Sequence, residues 1–513
     1  MLPASLEACH QLIVTKDTVI AKKDALIAAL EDKLRLAQLT RFAQSSEKLD
    51  LMAMGQVDCF ADESFDLPES ELDESTVTIP EHQRSRGKRK HFPDYLPRER
   101  IVHELSDEEL ALPNGMRYVK IGEEVSSQLD VVPAKVTVME HVRYKYAVPG
   151  FDEYGVKTAP YSTQQPLPKS IASSGLLAHI VQHKYEYHLP LYRQAQMWQS
   201  CDIDMSRSSM CRWLKQLGDM VTPVVEQISE QMMLEPMIQA DETRLRVIND
   251  SNKKADANSH TGWMWVYTNK AGVLYDYQSS RSGEHPGQLL EEFKGYIQSD
   301  AYSGYAAMFR NDTEKISVGC WAHARRKYMD IVKSLGKKKK PPAFTRYVLK
   351  LIGQLYAIEK RAREQQLAVN DLYTLRQIEA VPILGQLKRH LEETVVKTPP
   401  SSLLGKAIGY TLNNWEALSR YVESGHTEID NNSAERRIKP FAVGRKNWLF
   451  SGNTTTAKAS ANLFTLVENA KLHNLNVHAY LKYVFEGLIT AKRPRDFESL
   501  TPCFARDVVA HKK

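Results

Sequence analysis

Three acidic stretches carry the residues best suited to chemistry. Met237-Ile-Gln-Ala-Asp-Glu-Thr-Arg-Leu-Arg-Val247 sets Asp241 where an apolar run turns polar, and Gly295-Tyr-Ile-Gln-Ser-Asp-Ala-Tyr-Ser-Gly304 sets Asp300 at the end of a second such run. Glu428-Ile-Asp-Asn-Asn-Ser-Ala-Glu-Arg-Arg-Ile-Lys-Pro440 sets Glu435 where a first helical turn is expected. Carboxylates at two strand ends and one helix can be aimed at a single point, and three that converge can hold two Mg²⁺ ions. Two such ions, roughly 4 Å apart, polarise a scissile phosphate, activate the attacking oxygen and stabilise the leaving one. The chemistry in view is the cutting and joining of phosphodiesters. Chance placement competes with it, because the chain has 63 acidic residues. Glu242, Glu428 and Asp430 lie close by as rival carboxylates, and Glu242 is expected on the strand face opposite Asp241.

Basic residues crowd the same stretches: Arg436, Arg437, Lys439, Arg445 and Lys446 on one side, Arg325, Arg326 and Lys327 on the other. Such charges neutralise phosphates and position a duplex without reading its sequence. Trp448 and Phe450 either stack on a distorted base or fill a core. Cys320-Trp-Ala-His323 supplies a thiol and an imidazole, too few groups for a closed zinc site. His323 either approaches the scissile phosphate, hydrogen-bonds a catalytic carboxylate, or makes a structural hydrogen bond. No G-x-S-x-G elbow and no G-x-x-x-x-G-K-[ST] phosphate loop occurs, so a serine hydrolase and ATP-driven chemistry lack support.

These groups need elements to position them. Strands are expected at 237–241, Trp263–Tyr267, Val273–Tyr277, Tyr296–Ser299 and Ile316–Gly319, three in meander order and then two separated by helix, which predicts a mixed α/β sheet. Residues 321–424 read as helical around a Lys337–Lys340 loop, and 456–490 as a final helix pair. Upstream, Gly175–Tyr185, Leu191–Trp198 and Arg207–Gln216 read as three helices, the third capped by Ser206. The short Ser200–Met205 connection fits a helix-turn-helix that would show Arg207, Arg212 and Lys215 to a DNA groove; a generic bundle has a similar pattern. Strand-like runs at Lys135–Met139 and His141–Tyr146, within residues 96–165, suggest a small β-rich module. Residues 46–95 read as a linker, acidic and then basic. Leu12/Ile13, Val19/Ile20, Leu26/Ile27 and Leu34 form one stripe on a helix within residues 1–45, which either pairs as a coiled coil or docks on the rest of the chain.

At 513 residues the chain is too long for one core. Its net charge of +5 permits nucleic-acid binding without arguing for it. Six cysteines, none spaced C-x-x-C, exclude a compact disulfide scaffold and fit a reducing compartment. No apolar run reaches the ~18 residues of a membrane span, and no signal-peptide pattern opens the chain, so a cytoplasmic location without membrane contact is expected.

Several ordered pieces resemble the DDE transposases of the insertion-sequence-66 family over most of the chain. Leu39-Thr-Arg-Phe-Ala-Gln-Ser-Ser-Glu-Lys-Leu49 is similar to the end of that family's N-terminal helix, with Ala43 where Gly is usual. Ile121-Gly-Glu-Glu-Val125 and Arg143-Tyr-Lys-Tyr146 resemble its zinc-finger-like module, and His188-Leu-Pro-Leu-Tyr-Arg193 leads into its helix-turn-helix. Ala240-Asp-Glu-Thr243, Ser299-Asp-Ala-Tyr-Ser-Gly-Tyr305, Cys320-Trp-Ala-His-Ala-Arg-Arg-Lys327 and Asp430-Asn-Asn-Ser-Ala-Glu-Arg436 resemble its catalytic signatures. The resemblance implies a multidomain α+β protein with a ribonuclease-H-like core: a first part at 231–330, a helical insertion at 331–425, an end bearing Glu435 at 426–470, and a C-terminal helical segment at 471–513. A helix-turn-helix region at 166–230 would precede it. Asp241, Asp300 and Glu435 would be the metal triad, with His323 beside them and two Mg²⁺ ions, or Mn²⁺ as substitute, as cofactors. The partners implied are double-stranded DNA, both the element's terminal inverted repeats and its target, further copies of the chain as a homo-oligomer, and accessory proteins of the same element. The setting implied is the bacterial nucleoid.

One departure stands out. The family's module carries paired cysteines, whereas the places near Leu112-Pro-Asn-Gly115 and Ala147-Val-Pro-Gly150 have none, so the module is expected to keep its shape without zinc. A DNA-binding regulator with an inactive core, or a nuclease that cuts without joining, are the other functions these residues allow. If the N-terminal stripe drives assembly, deleting residues 1–40 will lower the oligomeric state measured by light scattering.

Overall fold

The computed structural model describes residues 165–510 except 169, 249–258, 311 and 336–339, together with Lys16, Lys23, 136–141, 144–146 and 157–158. The apolar stripe of residues 1–45, the 46–95 linker, most of the 96–165 module and Lys337–Lys339 of the expected loop lie outside the described residues. Two compact units divide the chain, one spanning 63–162 and the other the remainder. In the smaller unit β1 (Lys145–Tyr146) pairs antiparallel with β2 (Lys157–Thr158). Val136–Met139 was expected as strand and is exposed coil instead. Its alternation of β-branched residues supplies propensity, but no partner strand is available to it among the described residues.

The larger unit is built around a five-stranded sheet of order β5-β4-β3-β6-β7. Its strands are β3 (Met237–Val247), β4 (His260–Thr268), β5 (Val273–Gln278), β6 (Gly295–Gln298) and β7 (Lys315–Val318). The first three form an antiparallel meander, and β6 and β7 extend it in parallel from the β3 side. All five expected strands are present, and β3 runs six residues past Asp241. Met264, Trp265, Val266 and Tyr267 are all buried in succession, so both faces of the sheet are covered.

Among the described residues from 165 onward, four helices precede the sheet: α1 (Ser174–Tyr185), α2 (Leu191–Gln199), α3 (Arg207–Met220) and α4 (Thr222–Met233). Ser206 caps α3 by accepting the Ser209 N–H at 3.2 Å. Met210, Trp213 and Leu214 face inward, while Arg207 and Arg212 are exposed. Short helices α5 (Glu284–Leu289) and α6 (Ala306–Arg310) flank β6. After β7 the chain forms α7 (Trp321–Leu335), α8 (Ala343–Glu364), α9 (Val369–Leu375), α10 (Val381–Val395), α11 (Leu403–Asn413) and α12 (Trp415–Ser419), then α13 (Asn432–Trp448), α14 (Thr454–Leu472), α15 (Val477–Gly487), α16 (Pro494–Glu498) and α17 (Pro502–Ala510).

Helix α14 covers edge strand β5 with polar as well as apolar contacts. Asn469 Oδ1 accepts the Val273 N–H at 3.0 Å and Thr465 Oγ1 accepts the Tyr275 N–H at 3.0 Å. These bonds satisfy groups that an open sheet edge would leave without partners.

Two apolar clusters form. One joins α1–α4, the sheet, α14, α15 and α17; the other joins Val318, Trp321 and Tyr328 to the buried faces of α8, α10 and α11 and to Leu418, Tyr421 and Ile429. Arg376 ties the second cluster to the chain leaving it. It lies in a π-helical turn (Arg376–Ala380) between α9 and α10 and is 1% exposed. Its guanidinium donates to both Glu359 oxygens at 2.8 and 2.7 Å, and to the carbonyls of Tyr421 (2.8 Å), Ser424 (2.6 Å) and Thr427 (2.9 Å). Those carbonyls precede the acidic stretch bearing Glu435. Removing one partner of a buried pair leaves an uncompensated charge. Arg376→Ala will therefore lower stability by about 3–5 kcal/mol, read as a fall in the urea midpoint.

Candidate metal centre

The parallel register of β3 and β6 sets Gln239 opposite Gln298. Side chains alternate along a strand, so residues two further on share the same face. Asp241 and Asp300 each stand two residues beyond their glutamine, Asp241 within β3 and Asp300 just past the end of β6, and the charge of Asp300 acts on the Asp241 carboxyl.

The stretch leading to Glu435 is held to the sheet by a network of amides. Gln239 Nε2 donates to Gln298 Oε1 (2.9 Å), Glu428 Oε2 (3.0 Å) and the Asp430 carbonyl (3.0 Å), and Gln239 Oε1 accepts the Ala434 N–H at 3.0 Å. Gln298 Nε2 donates to the carbonyls of Glu428 (2.7 Å) and Gly319 (3.0 Å). Asn431 Nδ2 donates to the Ala240 carbonyl at 2.9 Å, and the Asn431 N–H reaches Cys320 Sγ at 3.2 Å. The stretch 428–434 is thereby fastened across β3, β6 and the start of α7. Glu435 follows in the first turn of α13, where the helix dipole favours a carboxylate.

The charges in this corner act on one another. Burial pushes the Asp241 carboxyl well above the ordinary carboxylate range; the charges of Glu242, Glu435 and Asp300 push it further, against the Glu242 N–H that reaches Oδ1 at 2.9 Å. Glu435 is raised by burial and by Asp430 and Asp300, with Arg326 and Lys439 opposing. Its Oε1 is buried without a hydrogen-bond partner. His323 Nε2 stands 3.7 Å from Oε1, and Arg326 3.8 Å from Oε2. Burial, then Arg326, pushes the His323 imidazole below its ordinary value, toward the neutral form. Cys320 Sγ, His323 and Glu435 offer ligand atoms within 4.8 Å of one another. Burial pushes the Cys320 thiol up to about 12, which suits a protonated acceptor of backbone N–H groups. A cluster of anions that raise one another's pKa is short of positive charge, and a divalent cation supplies it.

The three rival carboxylates are held by the protein instead. Glu242 pairs with Arg281 (Nε at 2.8 Å) and accepts from Tyr305 at 3.2 Å. Glu428 accepts from Gln239 and from Ser433 at 3.3 Å. Asp430 accepts from Tyr356 at 2.9 Å and from Asn432.

The basic residues divide the same way. Arg436, Arg326 and Lys327 are exposed beside Glu435, with Arg325, Lys439 and Lys446 half-buried. Arg437 pairs with buried Glu468 at 3.4 Å, and Arg445 donates to Thr243 Oγ1 at 3.0 Å and to the Arg244 carbonyl. Both are engaged within the protein rather than presented to solvent. On α3, Lys215 pairs with Asp219 at 2.6 Å. Trp448 packs among Tyr185, Phe441 and Phe464, which favours its reading as core, whereas Phe450 is 45% exposed. Sequence reasoning missed Gln239, Gln298 and Asn431. A glutamine inside each of two apolar strand runs was the available signal.

A mixed α/β protein with acidic side chains within β3, just past β6 and in the first turn of α13 is the class these features define. The family model described as "Transposase IS66 family" matches residues 169–459. The chain belongs to that family. The "IS66 C-terminal element" matches 465–503, and "Transposase C of IS166 homeodomain" matches 29–101. A "zinc-finger binding domain of transposase IS66" matches 114–147, which pulls against the expectation of no zinc, although that segment contains no cysteine. Among curated relatives, "Uncharacterized protein y4jD" of Sinorhizobium fredii (strain NBRC 101917 / NGR234) is 31% identical, covering 80% of this chain and 81% of its own length. "Uncharacterized protein y4qI" of the same organism is 30% identical over 97% of this chain and 93% of its own. A solved structure titled "Crystal structure of the Mos1 Strand Transfer Complex" aligns at 12% identity and TM-score 0.11, over 50% of this chain and 79% of that one. No helix among the described residues is long and apolar enough to cross a membrane.

Gln239→Leu removes the donor to Asp430 and the acceptor for Ala434 at once. A loss of about 1–3 kcal/mol follows from each buried group left unpaired, measurable by urea denaturation, and weaker divalent-cation binding is expected with it.

Proposed function

We propose that this protein is a metal-dependent DNA transposase whose ribonuclease-H-like core holds two Mg²⁺ ions on Asp241, Asp300 and Glu435. What supports this reading is that the charges of Glu435 and Asp300 both act on the buried Asp241 carboxyl. The Gln239–Gln298 pairing of β3 and β6, and the amide bonds that hold 428–434 to the sheet, are consistent with one shared site. The donor set fits a hard divalent cation, since it is carboxylate-rich and Glu435 Oε1 is a buried oxygen without a partner. Bound there, the metal supplies Lewis-acid activation of a phosphodiester and of the attacking hydroxyl or water.

The chain's own residues do the rest. Asp241 sits within β3, Asp300 two residues past the end of β6, and Glu435 on a helix pinned by Arg445 to β3, so the ligands are set before substrate arrives. Arg326, Lys327 and Arg436 offer exposed positive charge to the phosphate backbone. Arg207 and Arg212, exposed on α3 past a short turn, suit contact with the element's terminal repeats in a major groove. Two ends must be held together for joining, so a homo-oligomer is part of the proposal, acting on DNA in the bacterial cytoplasm with accessory proteins of the same element.

An in-cell mobility assay tests this reading. Asp241→Ala, Asp300→Ala and Glu435→Ala are each expected to reduce transposition to background while the purified variants still bind end DNA. Continued mobility of Glu435→Ala would remove the glutamate assignment. Nicked products without strand transfer would reduce the activity to that of a nuclease. Chelation with EDTA is expected to stop cleavage in vitro, and Mg²⁺ to restore it.

A further inference from the structure

His323 and Glu435 face each other at an unusual distance. Nε2 and Oε1 are 3.7 Å apart, beyond a hydrogen bond, and Oε1 is buried with no hydrogen-bond partner. The other ring nitrogen, Nδ1, is likewise buried without one. The buried carboxylate oxygen carries a desolvation cost that no hydrogen bond of the protein offsets. A shared cation does offset it. Two metal–ligand bonds of about 2.1 Å span at most about 4.2 Å, so one ion can touch both atoms as they stand.

The surrounding structure holds the pair in place. His323 lies in the first turn of α7, whose Trp321 N–H donates to the Ile429 carbonyl at 3.1 Å and whose Trp321 indole donates to the Leu418 carbonyl at 2.8 Å. Cys320 Sγ, the third candidate ligand atom, already accepts the Asn431 N–H and is 1% exposed. It fastens the stretch before α13 to the start of α7 and is thereby spent as a structural acceptor.

We propose that His323 and Glu435 are a nitrogen–oxygen ligand pair for one divalent cation, so that one metal position of this site has an imidazole ligand. The position then favours a cation that accepts nitrogen, such as Mn²⁺, over Mg²⁺, which keeps to oxygen ligands and water. The inference rests on Glu435 being a metal ligand, as in the function proposed above, and adds to it a fourth protein ligand and an unequal pair of metal positions.

Pulsed electron paramagnetic resonance of the full-length protein loaded with Mn²⁺ reads this directly. The wild-type protein is expected to show ¹⁴N coupling of a directly bound imidazole. His323→Ala is expected to lose that coupling and to weaken Mn²⁺ binding about tenfold or more, with an unchanged circular-dichroism melt. Bound Mn²⁺ without nitrogen coupling, or wild-type affinity in His323→Ala, overturns the ligand pair and leaves the carboxylate site intact. Absence of Mn²⁺ binding in the wild type, with Asp241→Ala no different, overturns both readings together.

Discussion

The facing glutamines Gln239 and Gln298 are the interaction on which the rest of the site depends. Parallel strands cannot be joined by a tight turn, so nothing local fixes the position of β6 against β3. Matched amides in the buried interior do so with direction as well as distance. Gln239 then turns to Asp430 and Ala434, and Gln298 to Glu428 and Gly319, so both glutamines also help to hold the 428–434 stretch. Register and loop placement are thus set by one polar network. Such networks are costly when partly satisfied and specific when complete.

The same corner separates carboxylates that are well supplied with donors from carboxylates that are not. Glu242, Glu428 and Asp430 are buried and pushed upward by desolvation, yet each is met by donors: Arg281 and Tyr305, Gln239, Tyr356 and Asn432. Among the described residues Asp241 accepts one backbone N–H, and Glu435 Oε1 has no hydrogen-bond partner. A protein that leaves buried anions unmatched beside matched ones concentrates its electrostatic deficit where a cation can correct it.

The helical region between Asp300 and Glu435 has its own apolar cluster and meets the acidic stretch through Arg376, whose guanidinium holds the carbonyls of Tyr421, Ser424 and Thr427. A long excursion of chain returns to the sheet at a defined point because a buried charge can be satisfied in only one arrangement. Tyr356 on α8 reaches Asp430 from the same side. The excursion and the site therefore share supports, which explains how a glutamate so distant in sequence can be placed beside Asp241.

The sequence by itself determined the elements. Aromatic and β-branched runs such as Trp263–Tyr267 specify strands and Ser206 marks the start of α3, whereas the apolar-to-polar change at Asp241, expected at a strand end, falls inside β3, which continues to Val247. It also determined which family the chain resembles, because ordered motifs survive without any knowledge of contacts. Only the tertiary structure decided which charges face which partners. Arg437 and Arg445 look like Arg436 in the sequence, yet their partners Glu468, Thr243 and Arg244 lie on other elements. Val136–Met139 has the propensity of a strand and lacks a partner among the described residues. Glu428 accepts from Gln239, nearly two hundred positions away, whereas Glu435 Oε1 has no hydrogen-bond partner. Propensity is a property of neighbours along the chain, whereas hydrogen-bond satisfaction depends on residues nearly two hundred positions away.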